Sequence, residues 1–219
     1  MAADPAVSQV VAVSRTRPAE WADDVRRSWI PADILDESSL AAAALRIAEL
    51  GTPTRIVVAT GRLHGEMLTP EKSLRAVTLD GLTESFAINA AGPILAAKHL
   101  LPLAPRDRRH VFAALSARVG SIGDNRLGGW YGYRAGKAAL NMLIRNVAIE
   151  HRRTHPSGIC VALHPGTVDT TLSRPFQGGV APDRLFSPDH AAACLLAVID
   201  GLDPAASGGF YAWDGTAID

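Results

Sequence analysis

Short runs of β-branched and other apolar residues alternate along the chain with longer stretches whose apolar positions recur every three or four residues. Val10-Val11-Ala12-Val13 reads as a strand, and Ile30-Pro31-Ala32-Asp33-Ile34 as a short strand or strand end. A helix capped by Ser38 or Ser39 runs to about Leu50, where Gly51-Thr52-Pro53 stops it. Arg55 to Thr60 is a buried strand, Leu82 to Leu101 a long helix ended near Pro102, and Val111 to Leu115 the next strand. A helix carrying Tyr133 continues to about Arg152, and Ile159 to Leu163 is another strand. Ser187-Pro188 supplies an N-cap and a first-turn proline for a helix to about Asp200. Gly209 to Trp213 is a last short strand.

This βαβ alternation predicts an α/β fold, a doubly wound parallel sheet with helices on both faces in three αβα layers. Such sheets bind ligands beyond the carboxyl ends of their strands. Residues 1–219 read as one domain, without internal repeats or low-complexity tracts. Two stretches, Gly61 to Gly81 and Thr171 to Phe186, show little periodicity. The second, rich in Pro and Gly, is long enough for a mobile lid.

Composition narrows the function classes. Apolar residues make up 47% and charged residues 20%, and the formal net charge is zero. That balance argues against a dominant nucleic-acid or polybasic membrane role. The basic cluster Arg106, Arg108, Arg109 is diluted by Asp107 and reads as a solvated loop. No apolar run reaches the ~18 residues that cross a bilayer, and no secretory signal is apparent, so no membrane partner is expected. Cys160 and Cys194 both lie in apolar segments and read as small core residues, in keeping with a cytoplasmic location.

The candidate chemistry centres on Tyr133-Arg134-Ala135-Gly136-Lys137. A tyrosine and a lysine four residues apart share one helix face. Leu140, Ile144 and Ala148 extend that face, which is therefore buried or lines a site. An ammonium beside a phenol stabilises the phenolate, so Lys137 is expected to lower the acidity threshold of Tyr133 from its ordinary value near pH ~10. His151 and His155 are four apart as well, but without a glutamate in the metalloprotease place they read as a basic helix end rather than a zinc site. No Gly-x-Ser-x-Gly elbow is present, which argues against an α/β-hydrolase.

Four motifs in order, Asn89 within Phe86-Ala87-Ile88-Asn89, Leu115-Ser116-Ala117-Arg118-Val119-Gly120-Ser121, Tyr133-x-x-x-Lys137, and His164-Pro165-Gly166-Thr167-Val168-Asp169-Thr170, resemble the short-chain dehydrogenase/reductase family, in its C-factor-like branch. The resemblance spans about Val10 to Ile218 and implies a Rossmann-like domain that exchanges a hydride between NADP(H) and a carbonyl or alcohol. It implies that Tyr133 gives or takes the proton, that Lys137 tunes it and binds the nicotinamide ribose, and that Asn89 holds a water leading to solvent. A serine would hydrogen-bond the substrate oxygen. Ser116 is favoured, while alignment on Gly120 puts Ala117 at that place and Ser121 is a further candidate. Pro165, Gly166 and Thr170 would lie at the nicotinamide end. Ser14 and Arg15 after the first strand suit the 2′-phosphate of NADP rather than NAD, and Asp33 the adenine amino group. Gly61 is kept where the family usually has Asn-Asn-Ala-Gly, but the asparagines are not.

The resemblance further implies a homodimer or homotetramer paired through the helices at 82–101 and 133–152. Pocket walls are expected from Arg118, Trp130 and residues 171–186, and packing or subunit contacts from Trp130, Trp213 and Phe210. The family's glycine-rich pyrophosphate loop, with the strand before it, is not found, which leaves a gap expected between the Val10 and Ile56 strands. A truncated start is the expected reason, against a short form that repacks. The alternative to an enzyme is a non-catalytic protein of the same fold, acting in binding or cell–cell signalling.

Overall fold

The computed structural model describes residues 5–65 and 68–219. In chain order it contains β1 (Val10–Ser14), β2 (Arg27–Pro31), α1 (Glu37–Leu50), β3 (Arg55–Val58), α2 (Leu79–Phe86), α3 (Gly92–Leu100) and β4 (His110–Leu115). Then come α4 (Tyr131–His151), β5 (Gly158–His164), β6 (Thr167–Val168), β7 (Leu185–Phe186), α5 (Pro188–Gly201) and β8 (Phe210–Ala212). All strand pairs are parallel, as the alternation predicts.

The strands of the main sheet run in the order β3-β4-β5-β8. Alternate residues of β4 and β5 face opposite layers, as a two-residue period requires. Phe112, Ala114, Cys160 and Ala162 pack on Ala96, Ala97, Leu140, Ile144 and Ala148 of α3 and α4. Val111, Ala113, Ile159, Val161 and Leu163 pack on Leu195 and Ile199 of α5. These are the three αβα layers. β1 and β2 form a separate two-stranded sheet under α1, where Ile30, Leu40, Ala43 and Ile47 meet Leu95, Leu100 and Leu103. The gap expected between the Val10 and Ile56 strands is present. A cavity of about 720 Å³ lies there, lined by both facing strand edges, by Leu40 and Ile47 of α1 and by Ala96 and Leu100 of α3.

Several local expectations are corrected. α1 is capped by Asp36, whose carboxylate accepts the Ser38 and Ser39 amides, and not by a serine. β2 starts earlier than Ile30 and stops at Pro31, because proline can accept but not donate in a ladder. The long helix begins at Leu79 and is interrupted by a wide π turn at Ala87–Ala91. Leu79–Leu103 is also long and apolar enough to cross a membrane by length and composition, contrary to the sequence reading. Here Ile88, Ala90, Ala96, Ala97 and Leu101 are buried inside the protein, while Leu79 and Phe86 are exposed. Arg109 lies exposed in the loop before β4, as expected, and donates there to the Ile199 and Leu202 carbonyls at the end of α5. Cys160 is buried, whereas Cys194 is only half-buried, on the outer side of α5 beside His190. His151 and His155 are not a solvated helix end. They stack at 4.1 Å and, with His110, form a buried cluster in which His110 Nε2 lies 2.7 Å from His151 Nε2.

Candidate active site

Tyr133 and Lys137 lie one turn apart on α4, and Leu140, Ile144 and Ala148 continue their face into the core as expected. Lys137 is buried and Tyr133 half-buried. Lys137 Nζ sits 5.8 Å from the centre of the Tyr133 ring and donates to the Leu115 carbonyl at 2.7 Å. The chain leaving β4 is pressed onto α4 here. A Cβ on Gly120 would lie 2.8 Å from the Lys137 carbonyl carbon, so only glycine allows this approach.

Asn89 and Gly61 complete the cluster. A Cβ on Gly61 would sit 3.3 Å from Asn89 Oδ1 and 3.4 Å from Lys137 Nζ, so the three residues converge beyond the end of β3. The π turn that carries Asn89 is a geometry frequent at functional sites. Its Oδ1 accepts the Arg62 amide at 3.0 Å, and its Nδ2 donates to the Arg62 carbonyl at 2.8 Å and to Ser85 Oγ at 3.3 Å. Both amide hydrogens are therefore engaged within the protein, and one Oδ1 lone pair stays open.

The serine alternatives separate by environment. Ser116 is buried at the carboxyl end of β4, and its Oγ has no partner among the described residues. Ser121 Oγ accepts the Asp124 amide at 3.0 Å. Ala117 has no hydroxyl. His164, at the end of β5, likewise has a buried Nδ1 without a partner among the described residues. The sequence reading quoted His164 only as part of its motif.

The electrostatics differ from expectation. Burial pushes the Tyr133 phenol up to about 12 instead of Lys137 drawing it down. Burial also draws the Lys137 ammonium down to about 8, since removal from water disfavours the charged form of each group. The amine is committed to the Leu115 carbonyl, and desolvation is what sets the direction for the phenol. His164 falls to about 4 through burial and, secondarily, the charge of Arg118.

The residues read as cofactor contacts fall into two groups. Ser14, Arg15, Asp33 and Gly61 line the 720 Å³ cavity. Arg15 is largely exposed and pairs with Asp33 at 3.9 Å across the ends of the first sheet. Ser14 Oγ already donates to the Thr16 carbonyl and accepts from Trp29 Nε1, and Asp33 holds the Leu35 amide. Pro165, Gly166 and Thr170 lie outside that cavity, the first two in the turn after β5 and Thr170 just after β6. Gly166 has a left-handed φ of 79°, and a Cβ there would strike the Phe186 ring at 2.6 Å. Thr170 Oγ1 donates to the Val168 carbonyl at 3.4 Å.

Aromatic residues wall the site. Trp130 meets Tyr133 edge-on at 6.4 Å and Phe176 at 4.9 Å, and Phe176 meets His64 at 5.7 Å. His64 Nε2 lies 3.2 Å from the carbonyls of Thr171 and Leu172, joining the segment after β3 to the segment after β6. Trp130 thus packs beside Tyr133, and Phe176 of the 171–186 segment against Trp130, while Arg118 pairs with Asp124 at 2.9 Å. Sequence reasoning missed His64 and Phe176, because single rings in aperiodic stretches carry no pattern.

A dinucleotide fits the two ends of this arrangement better than its middle. The open Ser116 hydroxyl, Lys137 and the Gly166 turn suit a carbonyl beside a nicotinamide. The Arg15 cation suits a terminal phosphate. Among the described residues no glycine-rich turn offers amides to a pyrophosphate between them, and the amides of α1 are met by its own Asp36 carboxylate.

Residues 3–195 match the family profile described as Enoyl-(Acyl carrier protein) reductase. The chain is 34% identical over 187 residues to a 1-hydroxy-2-glutathionyl-2-methyl-3-butene dehydrogenase of Rhodococcus sp. (strain AD45), covering 85% of this chain and 77% of that one. It is 37% identical over 138 residues to the C-signal of Myxococcus xanthus, covering 63% and 77%. Among solved structures, an NADPH-bound carbonyl reductase from chicken fatty liver superposes with a TM-score of 0.78 at 25% identity, covering 96% of this chain and 87% of that chain. An NADP-bound short-chain dehydrogenase/reductase described as putative, from Burkholderia multivorans, does so with 0.72 at 26% identity, covering 88% and 77%.

Proposed function

The chain belongs to the short-chain dehydrogenase/reductase family of oxidoreductases, and from that premise we propose that it reduces a carbonyl, or oxidises the matching alcohol, with NADP(H). The observation that carries the reading is the convergence of Lys137, Asn89 and Gly61 beneath the Tyr133 turn of α4. When bound, the reduced cofactor supplies a hydride. The chain supplies the rest. Tyr133, protonated at neutral pH, donates its proton to the substrate oxygen, and the open Ser116 hydroxyl holds that oxygen. Lys137, with its acidity near neutral pH, is the group able to return a proton to Tyr133. Arg15 and Ser14 hold the 2′-phosphate end, Asp33 the adenine, and Pro165, Gly166 and Thr170 the carboxamide end. Trp130 and Phe176 exclude water from the reacting groups.

We extend the reading to a homodimer or homotetramer through the α2–α3 and α4 surfaces. Leu79, Phe86, Met142 and Ile149 there are exposed apolar residues that a second copy would cover. A second reading, a non-catalytic binding or signalling protein, is favoured by one observation: the lack of a pyrophosphate cradle among the described residues.

Titration of NADPH against the 219-residue chain, followed by nicotinamide fluorescence, separates the two readings. Binding below millimolar concentration supports the enzyme, and none at millimolar supports the alternative. Tyr133→Phe should leave NADPH affinity unchanged and lower kcat for carbonyl reduction by about 10²-fold or more. Full turnover by that variant refutes the proton-transfer role.

A further inference from the structure

The helix that carries Tyr133 has no cap of its own. Its N-cap residue, Trp130, is in the left-handed region (φ 51°, ψ 44°), and no local side chain accepts the first-turn amides. N-caps normally take extended backbone and a short polar side chain. The missing acceptor comes instead from Glu71, 61 residues earlier, in the irregular segment after β3. Both Glu71 carboxylate oxygens lie 3.2 Å from the Gly132 amide, and the Glu71 carbonyl accepts the Trp130 amide at 2.5 Å. One residue thus holds α4 at two successive points, immediately before Tyr133.

The site is closed around this clamp. Glu71 is 6% exposed, and among the described residues no ion pair reaches its carboxylate. A buried carboxylate is costly without partners, and here its partner is the positive end of a 21-residue helix. A Cβ at Gly132 would come within 3.0 Å of Glu71 Oε1 and 3.2 Å of Ser85 Cβ, so the helix start is wedged between Glu71 and α2. Ser85 also accepts from Asn89, which links the same wedge to the Lys137 cluster.

We propose that Glu71 is a positioning residue for the reaction: it fixes the first turn of α4, and with it the direction of the Tyr133 hydroxyl and the left-handed Trp130 that walls the site. This rests on the oxidoreductase reading above. Glu71 would act through the backbone of α4, so its loss should change geometry at Tyr133 and leave cofactor binding alone.

The test compares Glu71→Met, of similar volume but without an acceptor oxygen, with Glu71→Gln, which keeps one. Steady-state kcat and KM with NADPH, thermal melting and amide hydrogen exchange at Gly132 and Tyr133 are measured on the whole chain. Glu71→Met should lower kcat about ten- to a hundredfold, as misplacement by an ångström does, with KM for NADPH within about twofold. Exchange at Gly132 and Tyr133 should speed up about tenfold while the middle of α4 stays protected. Glu71→Gln should lie between Met and wild type on both readouts. Wild-type kcat and exchange in Glu71→Met overturn the proposal, and so does a kcat loss that tracks only the unfolded fraction. If Glu71→Met does not fold, Glu71→Gln decides through exchange: faster at Gly132 supports the clamp, unchanged overturns it. If the wild-type chain shows no turnover, the oxidoreductase reading fails by itself, and the same exchange comparison still supports or overturns the clamp.

Discussion

The two sides of the 720 Å³ cavity are built differently. On one side, β3, β4, β5 and β8 share a continuous parallel sheet, and residues 111–114 of β4 with residues 159–162 of β5 are buried between α3–α4 and α5. On the other, β1 and β2 pair only with each other, Val13 remains 36% exposed, and the unit is tied to the rest mainly through α1 against α3. Tyr133, Lys137, Asn89 and Ser116 all stand on the first side. Ser14, Arg15 and Asp33 stand on the second. The groups that would move protons are thus built into the four-stranded sheet and its packed helices, whereas those that would choose the cofactor sit on a two-stranded pair joined to the rest through apolar helix packing. A continuous main-sheet side and a separately anchored β1–β2 side form the contrast, and it can be broken in three places.

The largest effect should come from the two leucines that anchor the halves. Leu140 is fully buried under the main sheet, and Leu40 is 4% exposed under β1–β2. Leu140→Ala should destabilise the whole chain by about 2–5 kcal/mol. Leu40→Ala should cost a similar amount locally but open only residues 10–14, 27–31 and 37–50, leaving α4 amides at their original protection. Native-state hydrogen exchange checks this. If Leu40→Ala lowers protection in α4 as much as Leu140→Ala does, the halves are one cooperative unit.

The same division governs what the sequence could tell. β4, β5 and α4 were legible because buried parallel strands read as continuous apolar runs and a long helix repeats every three to four residues. The Tyr133–Lys137 face and its extension through Leu140, Ile144 and Ala148 followed from that period. Only the end of β2 was legible, because its first residues, Arg27 and Ser28, are polar and gain strand geometry only by pairing with Val10 and Val11. The π turn at Asn89 left no mark, since Ala, Ile and Asn are equally at home in an ordinary helix. The reversed acidity of Tyr133 was illegible for another reason. Spacing shows that an amine is near a phenol, but not that both are desolvated or that the amine is turned to the Leu115 carbonyl. Glu71 carries no motif at all, because its partner is a backbone amide far along the chain.

The second break is pH. Lys137 titrates at about 8 when folded and 10.5 when unfolded, so below pH 8 its burial opposes folding by roughly 3 kcal/mol, a cost relieved as pH rises towards 10.5. Tyr133, raised from 10.0 to about 12, contributes stability that is lost as pH climbs through that interval. His151, lowered from 6.5 to about 4, adds a loss on the acid side that develops as pH falls from 6.5 towards 4. All three groups lie on the main-sheet side of the cavity. Urea unfolding followed across pH should therefore give a stability maximum near pH ~9–10 and a decline below pH ~6.5. Lys137→Met should flatten the rise between pH 8 and 10.5. Probes on α1 should respond less, because the Asp36 carboxyl that caps α1 is held below its usual range by Ser38 and Ser39 and keeps its charge further into acid. Equal acid sensitivity on both sides of the cavity would contradict the division.

The smallest effect should be the most selective. Arg15 reaches into solvent from the end of β1, and its one ion pair, with Asp33 at 3.9 Å, is between exposed groups and contributes little to stability. Arg15→Ala should therefore leave the melting temperature and the exchange pattern unchanged. If Arg15 holds a 2′-phosphate, its removal should weaken NADPH binding about tenfold, in line with the loss of one charge-assisted contact, and leave NADH binding as it was. The difference between the two cofactors should also shrink as salt is raised, because an exposed guanidinium is screened within about 10 Å at 0.1 M ionic strength. Equal weakening towards both cofactors would mean that Arg15 supports the shape of the β1–β2 unit rather than reading the phosphate, and cofactor choice would then have to reside on the main-sheet side of the cavity.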